Sequence, residues 1–220
     1  MVAPKAKVEP MVEGGSVCVV GKLLANKTVG KEIIRPLLIC AWQPTGWVSF
    51  KTLGTNPFLI EFENEWDETQ IMEGCPWTFD RDLVSLVELD GITPMVELEF
   101  EKAAFWVCMY NLPLACMSKA IGMRMGASVG EVLEMEVNDE GVGWGEYLRV
   151  RIVLDLSKPL SRGRRLKLRE RSIWIPFKYE KIPRFCFSCG VICHGARGCV
   201  QPGGSLGVGD GKEVQFGKWL

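Results

Sequence analysis

The 220-residue sequence predicts an α+β chain with a small metal module near its end, and three observations carry that expectation. Short runs of β-branched and aromatic residues alternate with stretches of helical periodicity. Glycine and proline punctuate most of the boundaries between them. Four cysteines and the single histidine crowd into the fourteen positions from Cys186 to Cys199.

Residues 1–14 are polar and broken by proline and glycine, and read as disordered. Residues 16–20 form a short β-rich run that Gly21 is expected to end. An amphipathic pattern follows, with Ile33, Ile34, Leu37, Leu38 and Ala41 on one stripe. Pro36 lacks an N–H and clashes with the preceding turn, so a kink or a helix beginning near it is expected. Residues 43–46 read as a turn, then 47–50 and 58–62 as paired strands around a turn at 54–57. A second helix is expected from Glu65 to Met72, stopping at Gly74 with Pro76 beyond. Residues 82–88 read as a further strand. The resulting order over residues 15–101 is βαββαβ, the ferredoxin/RRM-like pattern, which hosts many functions. Trp42, Phe58 or Phe62, Trp77 and Leu86 are its expected core.

A second β-rich α+β region is expected over residues 102–180. Residues 105–110 read as a strand that stops at Asn111-Leu-Pro113. Ser118 suits the N-cap of a helix running to about Met125. Strands at 129–137 and 147–156 flank a glycine-rich turn at 141–145. Residues 164–169 and 173–177 make a hairpin-like pair. Residues 201–220 are glycine-rich and read as a flexible tail, or as the point where a longer protein is cut.

Composition narrows the class. About half the residues, 47%, are hydrophobic, enough for a real core. Apolar runs fall short of the ~20 residues that span a bilayer, and no apolar segment follows the basic start. An intracellular protein, nuclear or cytoplasmic, is expected, with reduced thiols. Cys18, Cys40, Cys75, Cys108 and Cys116 then read as small buried hydrophobes. A net charge of −1 hides a strong asymmetry. Residues 61–101 carry thirteen acidic side chains against Arg81 alone; residues 149–184 carry twelve Lys/Arg against three acids. The alternation of Glu61, Glu63, Glu97, Glu99 and Glu101 with apolar residues reads as the wet face of strands rather than an acid catalyst. No phosphate loop, HExxH or nucleophile–base set is present, and no enzyme is expected.

The Cys/His cluster has the form C-x2-C-x4-H-x4-C. Cys186, Cys189, His194 and Cys199 would surround one Zn²⁺ tetrahedrally, leaving no open position, as in a structural site. Gly190, Gly195 and Gly198 suit the sharp turns, and so short a module would fold only with its metal. Zinc knuckles grip exposed bases with apolar side chains and the backbone with cations. Phe185, Phe187, Val191 and Ile192 fit the first role; Arg184 and Arg197 fit the second. Packing within the knuckle is an equal reading of Phe187. Just upstream, Arg162, Arg164, Arg165, Lys167 and Arg169 would meet phosphates in a sequence-independent, salt-dependent way. Alternation sets Arg165, Lys167 and Arg169 on one strand face. The competing reading is an edge strand protected by charge.

The knuckle and its approach, Ile175-Pro-Phe-Lys-Tyr-Glu-Lys-Ile-Pro-Arg-Phe-Cys186, resemble the zinc-knuckle segment of plant LINE-type retrotransposon proteins. Val20-Gly-Lys-Leu-Leu24, Gly74-Cys-Pro-Trp-Thr-Phe-Asp80 and Phe105-Trp-Val-Cys-Met-Tyr-Asn-Leu-Pro113 resemble the plant domain of unknown function that precedes that knuckle. Tyr147-Leu-Arg-Val-Arg151 and Lys158-Pro-Leu-Ser-Arg-Gly163 are similar to its later part. The resemblance covers roughly residues 15–199. It implies a gag-like role: binding single-stranded RNA, or less readily DNA, often ahead of a reverse transcriptase in a longer polyprotein. The chain departs from the pattern at Cys193, where glycine usually precedes the histidine; that thiol would strain the turn or compete with a ligand. Two other readings remain: a self-associating scaffold in which the knuckle only staples the fold, and the leading fragment of a polymerase polyprotein.

Overall fold

The structure, a computed structural model, describes residues 17–25, 29–54, 56–90, 92–194, 199, 216, 217 and 220. The segment expected to be disordered, residues 1–14, lies outside the described residues, as does most of the glycine-rich tail. The chain divides into two compact units. One lies within Met1–Leu23, Thr28–Gly74 and Leu86–Phe100, the other within Leu24–Lys27, Cys75–Ser85 and Glu101–Leu220. The architecture is α+β, with three α-helices among the described residues and two five-stranded, mostly antiparallel sheets.

The first sheet is built from β1 (Val17–Leu24), β2 (Val48–Thr52), β3 (Pro57–Phe62), β4 (Trp77–Phe79) and β5 (Asp82–Glu88), in the order β2-β3-β1-β5-β4. β1 runs on through Gly21, which pairs with Phe58 of β3, so the ladder does not stop where the glycine suggests. α1 (Lys31–Trp42) begins at Gly30 and carries Pro36 inside it, rather than starting there. Its buried stripe is Ile34, Leu38 and Trp42, spaced four apart. Ile33 and Leu37 stand on the other side, 59% and 57% exposed, a correction to the expected stripe. Trp42 stacks on Phe50 at 5.9 Å and Phe50 on Phe58 at 5.7 Å, over a floor that includes Ile60 and Phe62. Each such side chain contributes roughly 1.5–3 kcal/mol by leaving water.

α2 (Glu65–Glu73) is capped by Asn64, whose side chain accepts the Asp67 N–H at 2.8 Å. Trp77 and Leu86, expected in the core, are only partly buried. Cys40 is exposed and Cys18 and Cys75 partly so; of the five scattered cysteines only Cys108 and Cys116 are fully buried. Residues 95–97 form a single 3-10 turn, and Glu63, Glu99 and Glu101 also lie outside the strands, so of the five alternating glutamates only Glu61 sits on one.

The second sheet comprises β6 (Lys102–Tyr110), β7 (Glu131–Met135), β8 (Tyr147–Asp155), β9 (Gly163–Leu168) and β10 (Arg171–Tyr179), ordered β7-β8-β6-β10-β9. The arrangement repeats that of the first sheet: an opening central strand, a pair on one side, a hairpin on the other. β6 and β8 pair over nine residues, from Lys102↔Asp155 to Tyr110↔Tyr147. Alternation sends Phe105, Val107, Met109, Leu148, Val150, Ile152, Ile175 and Phe177 into one core. α3 (Lys119–Gly126) lies on that core face, with Gly122 against Leu148. Ser118 holds the N-cap position in extended backbone but makes no side-chain cap bond. Phe216 and Leu220, in the tail expected to be flexible, are buried in the same core, and the Tyr179 N–H donates to the Leu220 carbonyl at 2.6 Å. No helix among the described residues is long and apolar enough to cross a membrane.

Candidate metal centre

β10 ends at Tyr179, and the chain turns back on itself at Cys186. The Gly190 N–H donates to the Cys186 carbonyl at 2.7 Å, and the Cys186 N–H to the Val191 carbonyl at 2.9 Å. Gly190 has φ +78°, the left-handed region that glycine enters at no cost. This tight turn presents Cys186 and Cys189 side by side. His194 and Cys199 complete the set, and the four ligand atoms lie within 4.8 Å of one another. Sulfurs 2.3 Å from a tetrahedral ion would stand about 3.8 Å apart, so little movement closes the cluster on zinc. Cys189 Sγ and His194 Nε2 are already 3.2 Å apart.

Burial raises the Cys186 thiol, but hydrogen bonds from His194 and from the Cys189 and Ser188 backbone outweigh it and bring the group down to about 6. Zinc binds cysteine as the thiolate, so this lowering favours the metal-binding form of the cluster. Cys193 stands outside the four-residue set. Three sulfurs and one imidazole fill a tetrahedron, and the residues fit one structural zinc ion.

The knuckle is tied to the second unit. The Leu160 N–H donates to the Gly190 carbonyl at 2.9 Å, and Phe185 and Ile192 pack against the second core. Phe187 meets Phe185 edge-on at 5.1 Å yet stays 46% exposed, so one ring is both packed and open. Val191 is partly buried. Arg184 is anchored: its backbone N–H donates to the Arg81 carbonyl, Nη2 to the Asp80 carbonyl at 3.1 Å, and Nε lies 3.6 Å from Asp82. Arg197, Gly195 and Gly198 lie outside the described residues.

The basic strand separates into two kinds of cation. Arg165 and Lys167 are exposed on the edge strand β9, Arg162 is exposed just before it, and Arg169 is exposed in the turn after it. Arg164 points the other way. Its guanidinium donates to the Ser128 hydroxyl, the Ser128 carbonyl and the Gly163 carbonyl, each at 3.0 Å, and to the Ser161 hydroxyl. An open hollow of about 570 Å³ is lined by Arg162, Arg164, Arg165, Trp174 and Phe216 among others.

Sequence reading missed the aromatic residues of the sheet face opposite α3. Trp106 lies under the Arg149 guanidinium at 3.9 Å, Tyr110 packs on Tyr147 at 4.9 Å, and Trp174 is 42% exposed. Arg149 is held by Glu180 through bonds of 2.8 and 2.7 Å. Burial, together with the neighbouring Glu180 at 3.4 Å, pushes the Cys108 thiol up to about 12, so it stays protonated.

Two separate stretches of the chain are similar to described families. Residues 15–93 match a family described as a domain of unknown function (DUF4283), and residues 154–201 match a zinc knuckle of CCHC type. The second match opens in β8, well upstream of the first ligand, Cys186, and of residues 181–200, over which the sequence predicts the knuckle module. The chain thus carries a DUF4283 domain followed by a CCHC zinc knuckle. The uncharacterized protein At4g02000 of Arabidopsis thaliana is 27% identical over 143 residues. That match takes in 60% of this chain and 42% of the relative's length.

Proposed function

We propose that the chain is a non-catalytic, zinc-dependent binder of single-stranded nucleic acid, RNA in preference to DNA, with a gag-like role of retrotransposon origin. The observation that carries this reading is the closed Cys3His cluster in a unit whose edge strand displays Arg165 and Lys167 to solvent. Zinc knuckles bind single strands by stacking on exposed bases, and unpaired cations supply the phosphate attraction. The retrotransposon origin rests on the resemblance of the knuckle and the domain before it. We further read the first sheet as RRM-like, because its elements run βαββαβ with β4 as an added strand and its order is β2-β3-β1-β5. Residence in the nucleus or cytoplasm goes with this reading.

The test is binding of the zinc-loaded chain to single-stranded RNA over a salt series. The logarithm of the affinity should fall linearly with log[salt], with a slope of about −0.7 per phosphate neutralised. Salt-independent or absent binding would favour a scaffold. The exposed Ile33 and Leu37 on α1 give that second reading its footing, and a concentration-dependent sedimentation coefficient would support it.

A further inference from the structure

We infer that one end of the sheet face opposite α3, where Trp174 is exposed and Tyr110 and Tyr147 are half-buried, is a stacking platform for the bases of single-stranded nucleic acid, flanked by Lys178, Arg165 and Lys167. It rests on the nucleic-acid reading above and adds a second contact surface to the knuckle.

Strand register builds the platform. Met109, Leu148 and Phe177 point into the core, so their neighbours Tyr110, Tyr147 and Pro176 point out on the other face. Tyr110 and Tyr147 are cross-strand partners with ring centroids 4.9 Å apart. Phe177 pairs with Met109, which sets Pro176 beside Tyr110 one step along the ladder. Pro176 in turn pairs with Gly163 of β9. Gly163 has no side chain, and the Trp174 ring occupies the space: a Cβ there would come within 2.8 Å of the indole. Tyr147, Tyr110, Pro176 and the indole over Gly163 thus form one row across β8, β6, β10 and β9. At about 4.8 Å per strand the row extends roughly 14 Å, room for two or three splayed bases.

Charge along the row has the sign a phosphate backbone needs. Lys178 Nζ stands 4.3 Å from the Tyr110 ring centre, and exposed Arg165 pairs with Trp174 across the β9–β10 hairpin. Lys167 lies two residues further along β9, opposite Ser172. Three acids of the same face are matched by cations, Glu180 and Glu136 by Arg149 and Glu134 by Arg151 at 3.1 Å, while Glu146 beside Tyr147 leaves the positive charge concentrated at the Trp174 end of the row. The hollow beside Trp174 adds Arg162 to the rim. Aromatic cross-strand pairs also stabilise sheets, so the test has to separate stacking on bases from packing.

The experiment uses the full zinc-loaded chain and two fluorescent oligonucleotides of equal length and charge, one of uridines and one abasic. The unaltered chain should bind the uridine strand more tightly than the abasic one. Tyr110→Leu with Trp174→Leu should cost about tenfold or more on the uridine strand, leave abasic binding within about twofold, and keep one zinc per chain. Trp174→Phe should restore much of the preference. Equal losses on both strands would overturn the platform, because they would mark a packing defect. A leucine variant with its full preference for uridine, in a chain that still loses binding on chelation, would overturn the platform alone and leave the knuckle reading standing. An unaltered chain that binds neither strand would overturn both.

Discussion

Gly190 stands against the ring of Phe216: a Cβ on the glycine would run into the aromatic carbons, and the backbone there is left-handed. The turn that presents Cys186 and Cys189 is thereby seated on the core of the second unit. Gly190→Ala should therefore loosen core and knuckle together, at a cost of about 1–3 kcal/mol from overpacking. Thermal denaturation with zinc present measures it; an unchanged Tm would show that the knuckle is not seated there.

Asp67 gives the first unit a pH dependence. Its buried carboxylate accepts the Thr45 and Gly46 N–H groups at 2.9 and 2.8 Å, the Thr45 hydroxyl at 3.0 Å and Asn64 at 3.1 Å. Burial acts to raise the group, but these donors outweigh it and hold it below its ordinary value. A carboxyl depressed in the folded state stabilises fully above its unfolded pKa of about 3.9 and loses that contribution as pH falls through the folded value. Asp67→Asn should cost about 1–3 kcal/mol at pH 7, and the difference should vanish in acid. Urea denaturation at several pH values checks both, and a cost independent of pH would contradict the account.

Two neighbouring arginines should behave differently. Arg165→Ala with Lys167→Ala should leave stability within about 0.5 kcal/mol, since both are exposed, and flatten the salt slope of binding by about 0.7 per lost phosphate contact. Arg164→Ala removes four structural hydrogen bonds and should lower the Tm while changing the slope little. Melting curves and salt titrations on the same three proteins separate the roles; a large slope change for Arg164→Ala would reverse the assignment.

Cys193→Gly should retain one zinc per chain, because the thiol lies outside the ligand set. Elemental analysis after purification under reducing conditions reads this directly, and loss of the metal would make Cys193 a ligand.

Residue spacing reveals local features more readily than long-range ones. C-x2-C-x4-H-x4-C is a contiguous pattern, and its four members come together as the spacing suggests. Strand runs such as 82–88 and 105–110 are equally local. Rotation of α1 was not legible, because Ile33 and Ile34 are equally apolar and only the sheet beneath decides which is buried. Nor was Arg164 distinguishable from Arg165, since alternation names two faces without saying which one meets Ser128. The row from Tyr147 to Trp174 joins residues on four strands whose register no periodicity reports. Burial of Phe216 and Leu220 lies beyond a stretch whose composition suggests only a tail.

The most direct test of the central claim is the affinity of the intact chain for single-stranded RNA, measured with zinc bound and again after chelation, with circular dichroism recorded on both samples. The account predicts tight, salt-sensitive binding with zinc, a marked loss on chelation, and β-sheet signal from the first unit retained in both. Equal affinity with and without zinc, or no affinity in either state, would contradict it.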